Sequence, residues 1–270
     1  MKATNRGVAL VTGASSGIGN ATAKTLQNAG FHVFGTSRRA AERSDGVTML
    51  TCDVTDEASV AKAVAEVLAK AGRIDLLVNN AGIGLLGAAE ESSTAQAQAL
   101  FDVNVFGVLR TTSAVLPTMR HQQKGRIINL SSVLGLIPAP YSALYASTKH
   151  AIEGYSESLD HELRAFGIRV VLVEPAYTRT SFGENVVAPD HLLDTYNSAR
   201  TGMDAILQKA VATGDAPEVV AEAILTAATV TVPKRRYAAG KKAKRVSLLR
   251  RFVPESAFDK SLRKQNGLPV

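Results

Sequence analysis

Residues 8–30 read VALVTGASSGIGNATAKTLQNAG, and their order decides the fold. Val8 to Val11 is a short β-branched apolar run of the kind that forms a buried strand. The chain then meets Gly13, Gly17 and Gly19, spaced GxxxGxG, and passes into a helical segment that stops before Gly30. Glycine permits φ > 0 and close approach of a ligand to the backbone. A helix start presents unpaired N–H groups and the positive end of its dipole to a pyrophosphate. A tight turn without a ligand would use the same glycines. The two serines and the strand–turn–helix context favour a dinucleotide, held by Gly13, Ser15, Ser16, Gly17, Ile18 and Gly19.

Working outward, apolar runs recur at 31–37, 46–54, 74–82, 125–132 and 168–175, with a weaker one at 235–240. Helical patterns lie between them, at 17–29, 57–71, 95–119, 142–166 and 217–228. In 57–71, Val60, Val64, Val67 and Leu68 make an apolar stripe and Gly72 is placed to end the helix. This alternation predicts an α/β fold: a doubly wound, Rossmann-type parallel sheet of about seven strands with helices on both faces. No linker or repeat interrupts it, so residues 1–270 are expected to form one domain with a basic amphipathic tail at about 241–270.

The 270 residues are 46% hydrophobic and 20% charged, ordinary for a globular chain. Cys52 is the one cysteine, so no internal disulfide forms, and a cytoplasmic setting is expected. The apolar run at Val8–Val11 is too short for a signal peptide, and no stretch of about 18 apolar residues suggests a membrane span. The five histidines, at 32, 121, 150, 161 and 191, show no ligand spacing, so no metal site is expected. The formal charge is +7, yet Lys234–Lys264 holds twelve Lys and Arg against Glu255 and Asp259; the other residues are together net negative by three.

The second strand ends Thr36-Ser37-Arg38-Arg39. An acid there would bond a ribose 2′-hydroxyl; hydroxyls and an arginine fork suit a 2′-phosphate. NADP(H) is therefore expected over NAD(H), with Ser37 and above all Arg38 at the phosphate. Asp53 and Val54 end the third strand, where they would meet adenine, unless Asp53 is a turn or helix-capping residue. NNAG (79–82) places Asn80, Ala81 and Gly82 against a cofactor ribose, or stabilises its own turn, or does both.

In SALYASTKHAIEG (142–154), Tyr145 and Lys149 lie four apart and share a helix face. That is either ordinary packing or a phenol whose proton is made labile by a fixed cation. The ordered set TGASSGIG (12–19), NNAG, Asn104 in FDVNVFG, Ser132 in NLSSVLG, and YASTK, with thirteen positions from Ser132 to Tyr145, resembles the short-chain dehydrogenase/reductase family over about residues 6–180. The resemblance implies a Ser–Tyr–Lys centre supported by Asn. Tyr145 would be the acid for ketone reduction and the base for alcohol oxidation. Ser132 would hold the substrate oxygen with Tyr145, Lys149 would bind the nicotinamide ribose and favour the tyrosinate, and Asn104 would keep a kinked helix open around a relay water. Pro175, Thr178 and Thr180 would line the nicotinamide. Where the family usually has Pro-Gly, this chain has Pro175-Ala176, and Thr148 stands where serine is commoner.

The expected reaction is hydride transfer between NADP(H) and a carbonyl or secondary alcohol. The family's segment corresponding to 181–214 covers the substrate. Leu134, Ile137, Pro138, Leu192, Leu193, Tyr196 and Met203 would give it apolar walls for a lipophilic substrate, or else simply pack a surface helix. Rival readings are a non-catalytic NADP(H)-binding sensor and a membrane-surface-binding protein acting through its tail. The family's habit of pairing the Tyr/Lys helix between subunits implies a homodimer or homotetramer. The tail itself reads as two short amphipathic helices parted near Pro254. Docking on the domain or a partner subunit, contact with an anionic membrane and nucleic-acid binding compete for it, the last without a stacking motif.

Overall fold

The computed structural model describes residues 6–39, 45–180, 186–266 and 268. Parts of the expected substrate cover (181–185) and tail (267, 269–270) lie outside them. Seven strands form one sheet: β1 (Val8–Val11), β2 (His32–Ser37), β3 (Thr48–Thr51), β4 (Leu76–Asn79), β6 (Gly125–Leu130), β7 (Ile168–Pro175) and β9 (Arg236–Ala239). Their order is β3-β2-β1-β4-β6-β7-β9 and every neighbouring pair is parallel. All seven runs read from the sequence are strands. A second sheet, β5 (Gly84–Leu85) with β8 (Val186–Val187), was not expected; two residues per strand leave no pattern to read.

Alternation along each strand builds two cores. Ala9, Val11, Leu76 and Val78 face α1 (Gly17–Asn28) and α7 (Pro217–Thr229), where they meet Leu26, Val220 and Ile224. Val8, Leu10 and Leu77 face the other way, toward α2 (Glu57–Ala71), α4 (Gly107–Gln122) and α5 (Ala143–Leu163). Strands buried on both faces must be apolar throughout, which is why they read as continuous runs. Helix α2 follows its sequence signals: Asp56 caps it by accepting from Ala58 N at 2.9 Å, and Gly72 ends it at φ 70°.

The segment read as one helix over 95–119 is α3 (Thr94–Phe101), a π-helical turn at Asp102–Phe106, and α4. Thr94–Gln122 is long and apolar enough to cross a membrane by composition. Its Leu100, Val115 and Met119 are instead buried in the fold, the last two against Leu77 and Ile127. Beyond these lie α6 (Asn197–Ala212), α8 (Gly240–Phe252) and α9 (Glu255–Gln265); the last two flank Pro254 as the sequence predicts.

From β1 the chain winds outward to β2 and β3, then crosses back to β4 on the other side of β1. The loops leaving β1 and β4 therefore diverge, and a crevice opens at the carboxyl ends of the strands.

Candidate active site

That crevice is a cavity of about 530 Å³. Gly13 and Gly17 turn the chain there with φ of 66° and 52°. A β-carbon on Gly19 would lie 2.1 Å from Gly13 O, so this glycine lets the helix close on the strand. Ser16 stands before α1 without a side-chain cap, which leaves the first-turn N–H groups at the cavity, beside Ser15 and Ile18. Asp53 is the one acid among the described residues that line the cavity. Uncapped N–H donors with almost no negative charge fit a diphosphate.

NNAG turns out to hold this turn together. Asn80 Nδ2 donates to Thr12 O at 2.9 Å and Gly13 O at 3.0 Å, while Thr12 Oγ1 accepts from the N–H groups of Asn80 and Ala81, each at 3.0 Å. Asn79 is buried below, bonded to Thr111, Thr112 and Asn129. The side chains thus serve the turn, and Asn80, Ala81 and Gly82 still line the cavity. At the far end, Ser37 and Arg38 leave β2, whose own end carries no acid, and Val54 and Asp53 face them from beyond β3, with Asp53 near enough to Arg38 to feel its charge. Asp53 Oδ1 accepts from Thr55 N at 2.9 Å and Thr55 Oγ1 at 2.7 Å, the turn role left open by the sequence. Those bonds hold its carboxyl below the usual range.

At the near end, Ser132 begins the turn after β6 and its Oγ accepts from Leu134 N at 3.1 Å. The Tyr145 phenol is hydrogen-bonded to Ser132. Lys149 Nζ lies 5.6 Å from the Tyr145 ring centroid and donates to Leu130 O at 2.9 Å. The two side chains face the cavity with Ser132. Burial draws the lysine down to about 8, although the Glu153 carboxylate pulls the other way. Burial also pushes the phenol well above its ordinary value, and the Ser132 bond offsets only part of this. Burial is the largest influence on the phenol, and the Lys149 ammonium sits over its ring. Asn104 lies in the π-helical turn, outside the cavity wall. Its Oδ1 accepts from Ile83 N at 2.9 Å, and its Nδ2 donates to Ile83 O at 2.9 Å and Thr148 Oγ1 at 3.3 Å.

The match to known families decides what this arrangement belongs to. Residues 7–190 match the model of the short chain dehydrogenases. The chain belongs to that family. As a short-chain dehydrogenase it is an oxidoreductase that acts on CH–OH or C=O groups with NAD(P). It is 44% identical over 178 residues, 66% of each chain, to the 3-ketodihydrosphingosine reductase of Bacteroides thetaiotaomicron. A short-chain dehydrogenase from Streptomyces avermitilis superposes with a TM-score of 0.82 at 33% identity, over 97% of this chain and 98% of that one. Two similar structures hold cofactor. A 3-ketoacyl-(acyl-carrier-protein) reductase from Brucella melitensis is complexed with NADH (27% identity, TM-score 0.73, 85% and 95% coverage). ElxO has NADP bound (27%, 0.72, 87% and 97%).

Other parts of this short-chain dehydrogenase depart from the sequence reading. Ala176 needs no glycine: Gln123 and Tyr141 are the only non-glycine residues with positive φ among those described. Pro175, Thr178 and Thr180 line the cavity, and Thr180 Cβ lies 3.2 Å from where a β-carbon on Gly17 would stand. Of the expected apolar walls only Leu134 faces the cavity; Ile137 and Met203 are buried elsewhere, and Leu192 and Leu193 are exposed. The wall comes instead from Val186, Leu207, Val211 and Tyr177, one turn apart in the case of the α6 pair. A buried acid the sequence did not mark, Glu91, fixes this cover. It accepts from Leu193 N at 2.9 Å and from Arg200, and its backbone oxygen accepts from His191 N at 2.9 Å.

Proposed function

We propose that the protein reduces a lipophilic ketone with NADPH, with Tyr145 giving the proton. The observation that carries this reading is the Tyr145–Ser132 bond at the wall of the cavity, on a phenol that burial keeps protonated. The bound nicotinamide supplies the hydride. Ser132 would orient the carbonyl oxygen toward Tyr145, which must lie within hydrogen-bond reach to protonate it. Lys149, charged near neutral pH, would bind the nicotinamide ribose and make the tyrosinate left by proton transfer less costly. In the oxidising direction the same phenol must first lose its proton, which its burial opposes. Both Nδ2 hydrogens of Asn104 are already committed, so its role would be to hold the π-helical turn between Ile83 and α5.

NADPH over NADH rests on Arg38 beside Ser37, with no acid at the end of β2. The lipophilic substrate rests on the wall of Leu134, Val186, Leu207 and Val211, and the relative named for a sphingoid ketone supports it. A homodimer or homotetramer that pairs α5, the helix of Tyr145 and Lys149, with its copy would follow the family's habit, and cytoplasmic residence fits a lone buried cysteine. The test is Tyr145→Phe. NADPH binding, followed by fluorescence, should stay within about twofold, and turnover of long-chain ketones should fall by roughly a thousandfold or more. A Phe variant that still turns over at full rate would remove Tyr145 from the mechanism.

A further inference from the structure

The outward face of α8 has no task in the chemistry above. On a 3.6-residue helix, Lys241, Lys244, Arg245, Leu248, Arg251 and Phe252 share one side. All six are exposed, Leu248 at 59% and Phe252 at 70%. The opposite side is pinned: Ala243 is fully buried, and Lys242 Nζ donates to Thr213 O at 2.8 Å.

The sequence of α8, GKKAKRVSLLRRF, contains six cations and no acid. No ion pair among the described residues reaches it, while other exposed cations, such as Lys70, find one. Lys241, Lys242 and Lys244 also crowd the first turns, the end of a helix that repels cations. Three of the six cations have other partners, Lys242 at Thr213 and Arg250 and Arg251 over the Phe258 and Phe252 rings, but no carboxylate among the described residues forms an ion pair with any of them. Two large apolar side chains one turn apart in the midst of it are the wrong composition for a merely solvated face.

We propose that this face docks on an anionic lipid bilayer, with Leu248 and Phe252 inserted at the headgroup boundary and Lys241, Lys244, Arg245 and Arg251 against the phosphates. A second copy of the chain fits less well. A two-fold contact would set four cations against the same four. The position gives docking a consequence. Through Lys242 and Thr213, α8 is tied to the end of α6, whose Leu207 and Val211 wall the cavity, and it also packs on the Val133–Gly135 turn after Ser132. A docked α8 brings that wall to the membrane surface. Docking does not depend on which ketone is reduced, and its test needs no substrate.

The full chain, loaded with NADPH, is sedimented with phosphatidylcholine vesicles and with vesicles that also contain phosphatidylserine. The protein should pellet with the anionic vesicles and stay in solution with the neutral ones, and added salt should release it. Leu248→Ser with Phe252→Ser, and separately Lys244→Glu with Arg245→Glu, should each lower the bound fraction by roughly tenfold or more. Both variants should keep wild-type circular dichroism and wild-type turnover of a water-soluble ketone. The proposal is overturned if the wild type ignores anionic vesicles. It is overturned equally if both variants bind like the wild type, or if the variants change the oligomeric state in sedimentation equilibrium, which would assign the face to a second copy.

Discussion

At the scale of single residues, Thr148 is the least obvious member of the site. It differs from the commoner serine by a methyl group, and the hydroxyl is the part that matters. Its Oγ1 donates to Tyr145 O at 2.7 Å and accepts from Asn104 Nδ2, so it joins the π-helical turn to the helix carrying Tyr145 and Lys149. Thr148→Val keeps the shape and strands a buried amide N–H, at a cost of about 1–3 kcal/mol. We expect a urea midpoint shift of that size and a severalfold loss of kcat with NADPH affinity nearly unchanged; Thr148→Ser should restore both. Equal kcat in the Val variant would leave Thr148 with only a packing role. Arg38 offers the complementary test at the other end of the cavity. Arg38→Asp replaces a phosphate partner with a ribose-hydroxyl partner, so the ratio of kcat/KM for NADPH over NADH should fall by roughly a hundredfold or more. An unchanged ratio would refute the 2′-phosphate reading.

At the scale of elements, the cover over the cavity depends on a few bonds to the start of α3. Glu91 is fully buried and takes Arg200, Leu193 N and Ala88 N; Ser93 and Gln96 bond Asp190 and Ala188 nearby. Glu91→Ala leaves Arg200 half-buried without its partner, a loss of about 3 kcal/mol confined to this segment. KM for the ketone should rise about tenfold, and proteolysis near 188–200 should quicken, while NADPH affinity holds. Unchanged KM would show that the cover does not shape the site. This strap also marks the limit of what the sequence discloses. The strands, the glycine turn and the Tyr145–Lys149 spacing are local or periodic, so a reader of the chain meets them whole. Glu91 and Arg200 stand 109 residues apart, and no periodicity links them. The π-helical turn is hidden for a different reason: Asp102–Phe106 continues the apolar pattern of its helix, and the extra residue shows only when Asn104 is seen bonded to Ile83. The apolar walls differ from the expectation because Leu192, Leu193 and Tyr196 lie outside α6, while within it only Leu207 and Val211 fall on the face toward the cavity, a phase the sequence does not fix.

At the scale of the whole molecule, two buried carboxylates on opposite trends set how stability follows pH. Asp160 is fully buried; burial alone would raise it, but bonds from Arg169, Arg164 and Val170 N prevail and hold it at about 2. Its folded value lies below its unfolded one, so its contribution of about 2 kcal/mol is present above pH 4 and lost as acid protonates it. Glu174 is the reverse. Burial pushes it up to about 7, the neighbouring Glu153 adds to this, and Arg236 opposes both. Arg236 Nε donates to Glu153 Oε2 at 2.9 Å and lies 3.0 Å from Glu174 Oε1, so one guanidinium faces two buried acids. Sharing one proton relieves that excess of charge, and Glu174 folded therefore holds its proton more tightly than Glu174 unfolded. The stability this gives, on the order of 3 kcal/mol, is complete below about pH 4.5 and is lost as pH rises through about 7. The protein should accordingly be most resistant to urea near pH 4–5 and weaken steadily toward pH 7–8. Glu174→Gln keeps the neutral form at every pH. It should match the wild type near pH 5, exceed it at pH 8 by up to about 3 kcal/mol, and flatten the decline between them. An identical slope in wild type and variant would mean that Arg236 neutralises both acids after all, and that the Glu174 carboxylate is charged in the folded protein at neutral pH.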